Sequence, residues 1–328
     1  MAENKVNVAI VGASGYSGEE LVRLLLGHPH ANLSVLTSRQ YAGQPMTTVF
    51  PRFAGYAGAD DLTFSEPTID LLAESADVVF LALPHGVAAE FAVPLADRGV
   101  TVIDLSADFR LNDAAGYQEF YGAEHPAPQW LSKAVYGMPE VRREAIAIAT
   151  LIASPGCYPT SILLPTIPLL EAGLIDPEQI IADSLSGVSG AGRNASLPFL
   201  YVECNESLRP YGVPKHRHLS EIEQELSLAN GSPVTVQFTP HLVPVNRGIL
   251  TTLYLAPALG QRRILCNGRT PSPAAWPSAT PTNHLSGSPE ATGCRTRKMS
   301  PIRTQSKSAG QPTLAPSGCE FSAPRIIW

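Results

Sequence analysis

A glycine-rich turn near the start of the chain limits its possible folds more than any other feature. The apolar run Val6–Val11 predicts a short strand, and the sequence Gly12-Ala-Ser-Gly15-Tyr-Ser-Gly18 follows it directly. Residues 19–26 then predict a helix with apolar side chains along one face. Glycines at this spacing allow a tight turn and let the backbone approach a pyrophosphate at the helix N-terminus. The pattern predicts a dinucleotide-binding unit, and a turn that only packs helix on strand is the alternative.

Alternating strands and helices follow this turn. The apolar patterns predict strands at residues 32–37, 76–83 and 101–105 and a helix at residues 87–97. A βαβ succession of this kind implies an α/β fold with a doubly wound parallel sheet of the Rossmann type. Ligands of such sheets lie outside the carboxyl ends of the strands.

The pattern changes after Pro155. Residues 180–184, 234–238 and 249–255 predict strands of a second, mixed sheet, and residues 219–228 predict a helix between them. The chain is therefore expected to contain three parts. These are a dinucleotide-binding domain at residues 1–156, an incomplete catalytic and oligomerisation α/β domain at residues 157–256, and a tail at residues 257–328.

The tail differs in composition from the rest of the chain. Residues 261–328 carry nine Lys or Arg against two Glu, whereas residues 1–260 carry 14 basic and 27 acidic side chains. The formal net charge of −6 therefore averages an acidic body and a basic end. The tail has no Val, Asp or Tyr and no apolar repeat that would bury a face, so we expect it to be disordered. Its charges are scattered among prolines without interleaved aromatic residues, which disfavours nucleic-acid binding.

Composition excludes several classes of protein. Hydrophobic residues make up 44% and charged residues only 16% of the chain, which fits a packed globular protein and not an intrinsically disordered one. The longest apolar stretches fall short of the roughly 20 residues that a membrane span needs, and no secretory signal pattern opens the sequence. Five cysteines without metal-ligand spacing predict neither a disulfide framework nor a metal site. We expect a cytoplasmic protein that does not bind a membrane.

The end of the second predicted strand bears on the choice of cofactor. Enzymes that use NAD usually present an Asp or Glu there to the ribose 2′-hydroxyl. This chain has Thr37-Ser38-Arg39, and a hydroxyl with a guanidinium suits a 2′-phosphate. The sequence therefore predicts NADPH or NADP+ over NAD, and a solvated loop position for Arg39 is the alternative.

Cys157 is the candidate nucleophile. It lies in Ser154-Pro-Gly-Cys157-Tyr-Pro, where the apolar strand Leu151–Ala153 gives way to a predicted helix. A thiol at a helix N-terminus is expected to have a lowered pKa, and the free N–H groups there can hold an oxyanion or a phosphate. The alternative, a small buried hydrophobic residue, is our interpretation of Cys204.

A nucleophilic thiolate needs a proton partner, and two histidines are candidates. His216 and His218 lie in the sequence Tyr-Gly-Val-Pro-Lys-His-Arg-His. They could also be surface loop residues. Metal binding is less attractive, because no second pair of ligands with suitable spacing accompanies them.

Basic residues also lie near the predicted site. Arg110 follows a strand at the ligand edge of the sheet, where it could bind an anion or pair with Asp108 or Glu119. Residues 187–193 form a second glycine-rich loop that ends in Arg193. That loop suits phosphate binding but is also explained by a flexible turn.

Motifs along most of the chain carry a resemblance to a known family. In order they are GASGYSGEELVRLL, LALPHG, DLSADFR, YGMPE, SPGCYPTSILLP, SGVSGAGR, YGVPKHRHLSEIEQEL and FTPHLVPVNRGIL. Together they resemble the N-acetyl-gamma-glutamyl-phosphate reductase family, within the aspartate-semialdehyde dehydrogenase superfamily. The resemblance runs from Val6 to about Ala256.

The resemblance implies an enzyme of arginine biosynthesis. It would reduce N-acetyl-gamma-glutamyl phosphate with NADPH to N-acetylglutamate 5-semialdehyde and phosphate, through a cysteine thioester. Its partner is this small acyl phosphate, and the family forms homodimers or homotetramers. The nucleophile falls on Cys157, and the acid/base histidine falls on His216 in preference to His218. The implied substrate-binding residues are Arg110, Arg193 and Arg217, and the implied cofactor-binding residues are Gly12, Ser14, Gly15, Tyr16, Ser17, Gly18, Ser38, Arg39, Ser186 and Gly187.

The chain departs from this family after about Ala256. Family members continue with further strands and a long helix that packs on the cofactor domain, and nothing in residues 261–328 matches them. The abrupt change suggests translation in a shifted reading frame, which the coding DNA would test. The alternatives are an aspartate-semialdehyde dehydrogenase-like enzyme, a catalytically impaired truncated homologue, or a bare nucleotide-binding module. The HRH and SGVSGAGR motifs speak against the first of these.

Overall fold

The computed structural model describes residues 5–258 and the backbone of residues 320–322. Seven strands form the first sheet, and all of their pairings are parallel. They are β1 (Val6–Val11), β2 (Ala31–Thr37), β3 (Phe64–Ser65), β4 (Val78–Leu81), β5 (Thr101–Asp104), β6 (Val135–Tyr136) and β7 (Leu151–Ala153). Their spatial order is β3-β2-β1-β4-β5-β7-β6, so the chain winds outward in both directions from β1. The predicted doubly wound sheet is confirmed.

Helices connect these strands and cover the sheet. They are α1 (Tyr16–Leu26), α2 (Met46–Val49), α3 (Ile69–Ser75), α4 (Ala89–Asp97), α5 (Ala114–Tyr121) and α6 (Pro139–Ala147). The last four residues of β1 are buried, because apolar clusters lie on both faces of the sheet. Since β2 and β4 flank β1 on opposite sides, the strand order reverses there, and the turn after β1 lies at the position where doubly wound sheets bind ligands.

The second sheet is mixed, as predicted. It contains β8 (Ile175–Ser186), β9 (Arg209–Pro210), β10 (Val236–Leu242), β11 (Ile249–Pro257) and β12 (Glu320–Ser322). Their order is β12-β11-β8-β10-β9, and only the β8–β10 pair is parallel. Three helices accompany these strands: α7 (Cys157–Glu171), α8 (Tyr201–Cys204) and α9 (His218–Asn230).

One apolar core joins α7 and α9 to this sheet. Ile162 and Ile222, one from each helix, are fully buried in it with Ile180 and Leu253 from the strands. Tyr136, from the edge strand β6 of the first sheet, also packs into this core. The division of the chain at residue 156 stays a prediction.

The short elements were missed by the apolar pattern. Strands β3 and β6 have two residues each, which is too short for a periodic signal. Within the predicted tail, Pro257 is the last residue of β11, and Glu320–Ser322 forms β12 antiparallel to β11. The rest of that tail lies outside the described residues. No helix in the described part of the chain is long and apolar enough to cross a membrane.

Candidate active site

Two glycines of the turn after β1 have no room for a side chain. Gly12 has a φ of +80°, and a Cβ atom there would lie 2.5 Å from the carbonyl oxygen of Ala82. A Cβ atom on Gly18 would lie 2.5 Å from the Cα atom of Ala13. Gly15 caps α1 without a side-chain hydrogen bond, so the N–H groups of the first turn are available to an anion. The turn therefore has the shape and the donors of a pyrophosphate cradle.

The end of β2 meets this turn through two hydroxyl groups. The Oγ atoms of Ser14 and Ser38 lie 3.0 Å apart, and Ser38 is buried while Arg39 is exposed. Tyr16 and Ser17 are exposed in the first turn of α1. The residues that end β2 and follow it, Thr37-Ser-Arg-Gln-Tyr41, include no Asp or Glu to receive a ribose 2′-hydroxyl. Two hydroxyls beside a guanidinium fit the 2′-phosphate of NADP, so the residues present suit the predicted cofactor.

Cys157 is the first residue of α7 and directly follows the N-cap Gly156. Burial raises the pKa of its thiol, while the backbone N–H of Tyr158 and the Arg110 guanidinium oppose that rise. The negative charge of Glu221 raises the pKa further. The expected lowering of the thiol pKa is therefore wrong for this structure, because desolvation outweighs the helix N-terminus. The thiol needs a base to become a nucleophile.

Cys157 opens onto a cavity of about 510 Å³. The predicted residues Ser186, Gly187, His216 and Arg217 line this cavity with it, as does His218. Gly190 and Ala191 of the predicted glycine-rich loop also line it, and the lining is completed by residues to which the sequence reasoning gave no role: Tyr158, Pro198, Phe199, Arg209, Tyr211 and Leu242. The structure thus brings the nucleophile, both histidines and one predicted arginine into a single space.

The two histidines are held in different ways. The backbone N–H of His218 donates to Nδ1 of His216 over 3.1 Å, so the neutral His216 ring carries its proton on Nε2. The Nε2 atom of His218 lies 2.8 Å from the position that a Cβ atom on Gly156 would occupy, directly before Cys157. Within the described structure, Nδ1 of His218 is buried without a hydrogen-bond partner.

Both histidines are uncharged at neutral pH. Burial lowers the pKa of His216 to about 4, and the charge of Arg217 contributes to this shift. Burial also lowers the pKa of His218 well below its ordinary value, with smaller effects of Arg110, His216 and Arg217. A neutral imidazole can accept a proton from a thiol or donate its N–H to an oxygen, and the lowered pKa of each ring makes it a weaker base than an exposed histidine.

Arg110 lies behind the nucleophile and does not line the cavity. Its Nε atom donates to the carbonyl oxygen of Ser154 over 2.8 Å, and Nη2 donates to that of Leu105 over 2.7 Å. Its Nη1 atom lies 3.5 Å from Oε2 of Glu221. This buried guanidinium joins the segment before Cys157 to α9, so the placement favours support of the site over direct contact with substrate.

Neither ion pair considered for Arg110 is present. Asp108 accepts hydrogen bonds from the backbone N–H of Gly86 and from the Tyr117 hydroxyl, and Glu119 pairs with Lys215. Those alternatives are wrong because the chain turns Asp108 toward the start of α4. The actual partner, Glu221, is far away in the sequence.

Arg193 lies on the cofactor side of the molecule. Its guanidinium bonds to Glu19 on α1 and lies 4.8 Å from the ring centroid of Tyr16. Arg52 pairs with the same carboxylate over 3.1 Å. Because these contacts occupy Arg193 away from the cavity, its predicted role in substrate binding has no support from the geometry.

The remaining expectations concern other cysteines and metals. Cys204 is buried and donates its thiol hydrogen bond to the carbonyl oxygen of Pro198, as expected for a structural residue. Both Cys157 and Cys204 are free thiols. Among the residues that the structure describes, no three His, Cys, Asp or Glu side chains are grouped to hold a metal ion.

The two regions of the chain that contain the sheets each match a known family of protein domains. Residues 7–149 match the model of the semialdehyde dehydrogenase NAD-binding domain, and residues 157–264 match that of the semialdehyde dehydrogenase dimerisation domain. N-acetyl-gamma-glutamyl-phosphate reductase from Akkermansia muciniphila is 60% identical over 250 residues, which are 76% of this chain and 72% of that protein. The reductase of the same name from Moorella thermoacetica is 52% identical over 249 residues, covering 76% and 71% of the two chains. The chain belongs to the N-acetyl-gamma-glutamyl-phosphate reductase family.

Solved structures agree at the level of the fold. Aspartate semialdehyde dehydrogenase II from Vibrio cholerae, complexed with ASA, has a TM-score of 0.59 at 20% identity and covers 78% of this chain and 75% of its own. Aspartate semialdehyde dehydrogenase with NADP from Candida albicans has a TM-score of 0.58 at 18% identity, with coverages of 77% and 71%. The predicted reductase family, oxidoreductase class and nicotinamide dinucleotide-binding fold are confirmed.

Sequence reasoning missed site residues of this reductase family member for two reasons. Tyr211 is the first residue of the histidine motif and Arg209 lies two residues before it, so their proximity was an available signal. Glu221 was quoted within that motif without a role, because nothing local indicates that its carboxylate reaches Gly156. The assignments of Cys157, His216 and the other site residues stay predictions.

Proposed function

We propose that this chain reduces N-acetyl-gamma-glutamyl phosphate with NADPH to N-acetylglutamate 5-semialdehyde and phosphate, a step of arginine biosynthesis. The observation that carries the proposal is the shared cavity of Cys157, two uncharged histidines and Arg217. The names of the relatives supply the substrate, and the cavity supplies groups that suit it. Because the chemistry needs no metal, the residues around Cys157 must perform the acyl transfer and the proton transfers themselves.

His218 is proposed to take the thiol proton of Cys157. Its Nε2 atom lies beside Gly156, and its ring is neutral at physiological pH. As the sulfur attacks the acyl carbon, an S–C bond forms, the bond from carbon to the phosphate oxygen breaks, and phosphate leaves with the electron pair. The backbone N–H groups at the start of α7 stabilise the thiolate and the tetrahedral oxyanion. The product of this step is a thioester on Cys157.

His216 is proposed to act on the substrate oxygen. Since its Nδ1 atom accepts the His218 N–H, its Nε2–H group is the donor. This N–H group polarises the thioester carbonyl and donates a hydrogen bond to the oxyanion that forms when hydride adds to the carbon, and the His216 ring stays neutral while the thiohemiacetal collapses. Collapse breaks the S–C bond, releases the aldehyde, and returns the proton held on His218 to the sulfur.

NADPH supplies the hydride for reduction of the thioester. The residues proposed to hold it are the turn at Gly12 to Gly18, with Ser38 and Arg39 at the 2′-phosphate. Ser186 and Gly187 line the cavity beside Cys157, and a Cβ atom on Gly187 would lie 2.9 Å from the backbone nitrogen of Arg247. The close packing of the loop at Gly187 against the loop at Arg247 supports a rigid wall on the side of the cavity where the nicotinamide would bind.

Self-association through the second sheet is also proposed. Helices α7 and α9 cover one face of this sheet, while Ile181, Leu250 and Tyr254 on the other face are 36%, 45% and 40% exposed. Tyr254 is paired in register with Ile181, so apolar side chains are neighbours there. We propose that a second copy of the chain covers this face, in a homodimer or homotetramer, and sedimentation velocity tests this oligomeric state.

The proposed location is the cytoplasm. The free thiols of Cys157 and Cys204 are consistent with that location.

The proposed activity is tested by NADPH oxidation with the purified chain. We expect turnover of N-acetyl-gamma-glutamyl phosphate, little turnover of β-aspartyl phosphate, and loss of both in Cys157→Ala while NADPH still binds. Preference for β-aspartyl phosphate would favour an aspartate-semialdehyde dehydrogenase-like enzyme. Substantial turnover by Cys157→Ala would exclude the cysteine mechanism, and NADPH binding without any turnover by the unaltered chain would indicate an impaired homologue.

A further inference from the structure

Two loops of the second sheet pack against each other beside the cavity. The backbone N–H of Val188 donates to the carbonyl oxygen of Val245 over 2.9 Å, so the loop at residues 187–193 and the loop at residues 243–248 form one unit. The first of these loops lines the cavity together with Cys157. Any contact that holds this unit in place therefore also fixes the cavity wall beside the nucleophile.

Each loop supplies one arginine to α1, the helix that follows the dinucleotide-binding turn. Arg193 bonds to Glu19, and Nη1 of Arg247 lies 3.6 Å from Oε2 of the next residue, Glu20. Glu19 directly follows Gly18, the last glycine of the turn. Two adjacent carboxylates at the start of the cofactor helix thus hold the two loops of the other sheet.

The position of Arg193 is defined from several sides. Its guanidinium bonds to Oε2 of Glu19, and Arg52 pairs with Oε1 of the same carboxylate over 3.1 Å. The guanidinium also lies 4.8 Å from the ring centroid of Tyr16 and 5.5 Å from that of Phe50. One carboxylate and two aromatic rings that precede the second sheet in the chain therefore fix the end of the loop at residues 187–193.

This ion pair is suited to orientation more than to stability. The side chains of Arg52 and Arg193 are 44% and 39% exposed. Ion pairs that are open to water add little to the free energy of unfolding, because water screens the charges and two long side chains lose freedom. Catalysis is more sensitive, since a displacement of about 1 Å between reacting groups can cost about 100-fold in rate. A contact of small energy can thus have a large effect on the reaction.

We propose that the contact between Glu19 and Arg193 positions the bound nicotinamide against Cys157, by fixing residues 187–193 relative to the dinucleotide-binding turn. Both are positioning residues, since neither lines the cavity. This inference rests on the proposed function. The turn would hold the pyrophosphate of NADPH, and residues 187–193 would form the wall at its nicotinamide end. The contact therefore fixes the two binding sites of one cofactor relative to each other.

Protection of Cys157 by NADPH tests this inference without turnover. Alkylation by iodoacetamide is followed with and without NADPH, at concentrations that saturate each variant. NADPH should protect Cys157 in the unaltered chain, and Arg193→Met and Glu19→Gln should lose most of that protection although they still bind NADPH. Arg193→Lys should retain part of it. Arg98→Met is the matched control, because it breaks an exposed ion pair with Asp70, and neither residue lines the cavity.

Kinetics show whether the contact acts on the chemical step. At saturating concentrations of both substrates, kcat should fall about 10- to 100-fold in Arg193→Met and in Glu19→Gln. The double variant should be no slower than either single variant, because both substitutions remove the same contact. The KM for the acyl phosphate and the melting temperature should stay close to those of Arg98→Met.

The outcomes separate this inference from the proposed activity. Unchanged protection in either single variant would overturn the assignment, as would a lack of protection in the unaltered chain. A lowered melting temperature with unchanged kcat would show a structural role only, and a raised KM for the acyl phosphate in Arg193→Met alone would make Arg193 a substrate-binding residue. If protection depends on Glu19 and Arg193 but the unaltered chain shows no turnover, the proposed activity fails while their positioning role stands.

Discussion

The Oε1 atom of Glu221 accepts a hydrogen bond from the backbone N–H of Gly156 over 2.8 Å. Gly156 is the N-cap of α7, and the next residue is Cys157. The same oxygen accepts the hydroxyl of Tyr136 over 2.7 Å, and the other oxygen faces Arg110. Glu221, whose side chain is 1% exposed, therefore fixes Gly156, the residue before the nucleophile. It does so from α9, although the two residues are 65 positions apart in the sequence.

Replacement of Glu221 should destabilise the fold and misplace Cys157. Glu221→Gln removes the negative charge beside buried Arg110, and an uncompensated buried charge costs about 3–5 kcal/mol. Tyr136→Phe removes one hydrogen bond only and should cost about 1–2 kcal/mol. Urea denaturation measures both free energies of unfolding. Equal stability of Glu221→Gln and the unaltered chain would show that this network does not hold the site together.

The thiol of Cys157 should be slow to ionise in the free protein. Burial raises its pKa, so alkylation by iodoacetamide should still accelerate with pH above about 8.5, the ordinary thiol value. Peptide mass spectrometry distinguishes Cys157 from the other cysteines, and buried Cys204 serves as an internal reference. A rate that has already levelled off near pH 7 would mean that the helix N-terminus outweighs desolvation.

Substitution of the two histidines should separate two steps. His218→Gln should slow alkylation of Cys157 at neutral pH by about tenfold or more, because the proton acceptor is lost. His216→Gln should lower turnover by about 10²- to 10⁴-fold, while alkylation changes by less than about twofold. The two assays on both variants give the answer. The reverse pattern would make His216 the base for the thiol.

The lack of room for a side chain at Gly18 can be tested by mutation. Gly18→Ala puts a Cβ atom 2.5 Å from the Cα atom of Ala13, and overpacking of this kind costs about 1–3 kcal/mol. Gly27→Ala is the matched control at the C-cap of the same helix, since no atom lies within 4 Å of its added Cβ. Thermal unfolding and NADPH titration should show weakened stability and binding for Gly18→Ala only. Equal effects of the two substitutions would contradict the close approach of turn and helix.

Much of the fold followed from local sequence patterns. The run Val6–Val11 and the glycines behind it predicted β1, the turn and α1, because strand, turn and helix are each set by neighbouring residues. The position of Cys157 at the start of α7 was also predictable from its neighbours, because the strand Leu151–Ala153 and the N-cap Gly156 precede it. These features need no knowledge of distant contacts.

The electrostatics of the site could not be read in this way. The raised pKa of the Cys157 thiol depends on burial, which arises only when α7, α9 and the first sheet pack together. Arg110 and Glu221 are 111 positions apart, so no spacing rule indicates their pairing. Arg193 looked suited to phosphate within its glycine-rich loop, yet tertiary packing places it on Glu19.

Trapping the acyl enzyme tests the central claim most directly. The purified chain is mixed with N-acetyl-gamma-glutamyl phosphate without NADPH, and released phosphate and intact mass are measured. The account predicts one phosphate released per active site and one N-acetylglutamyl group on the peptide that contains Cys157, with neither in Cys157→Ala. Phosphate release without a Cys157 adduct, or an adduct that survives in Cys157→Ala, would contradict it.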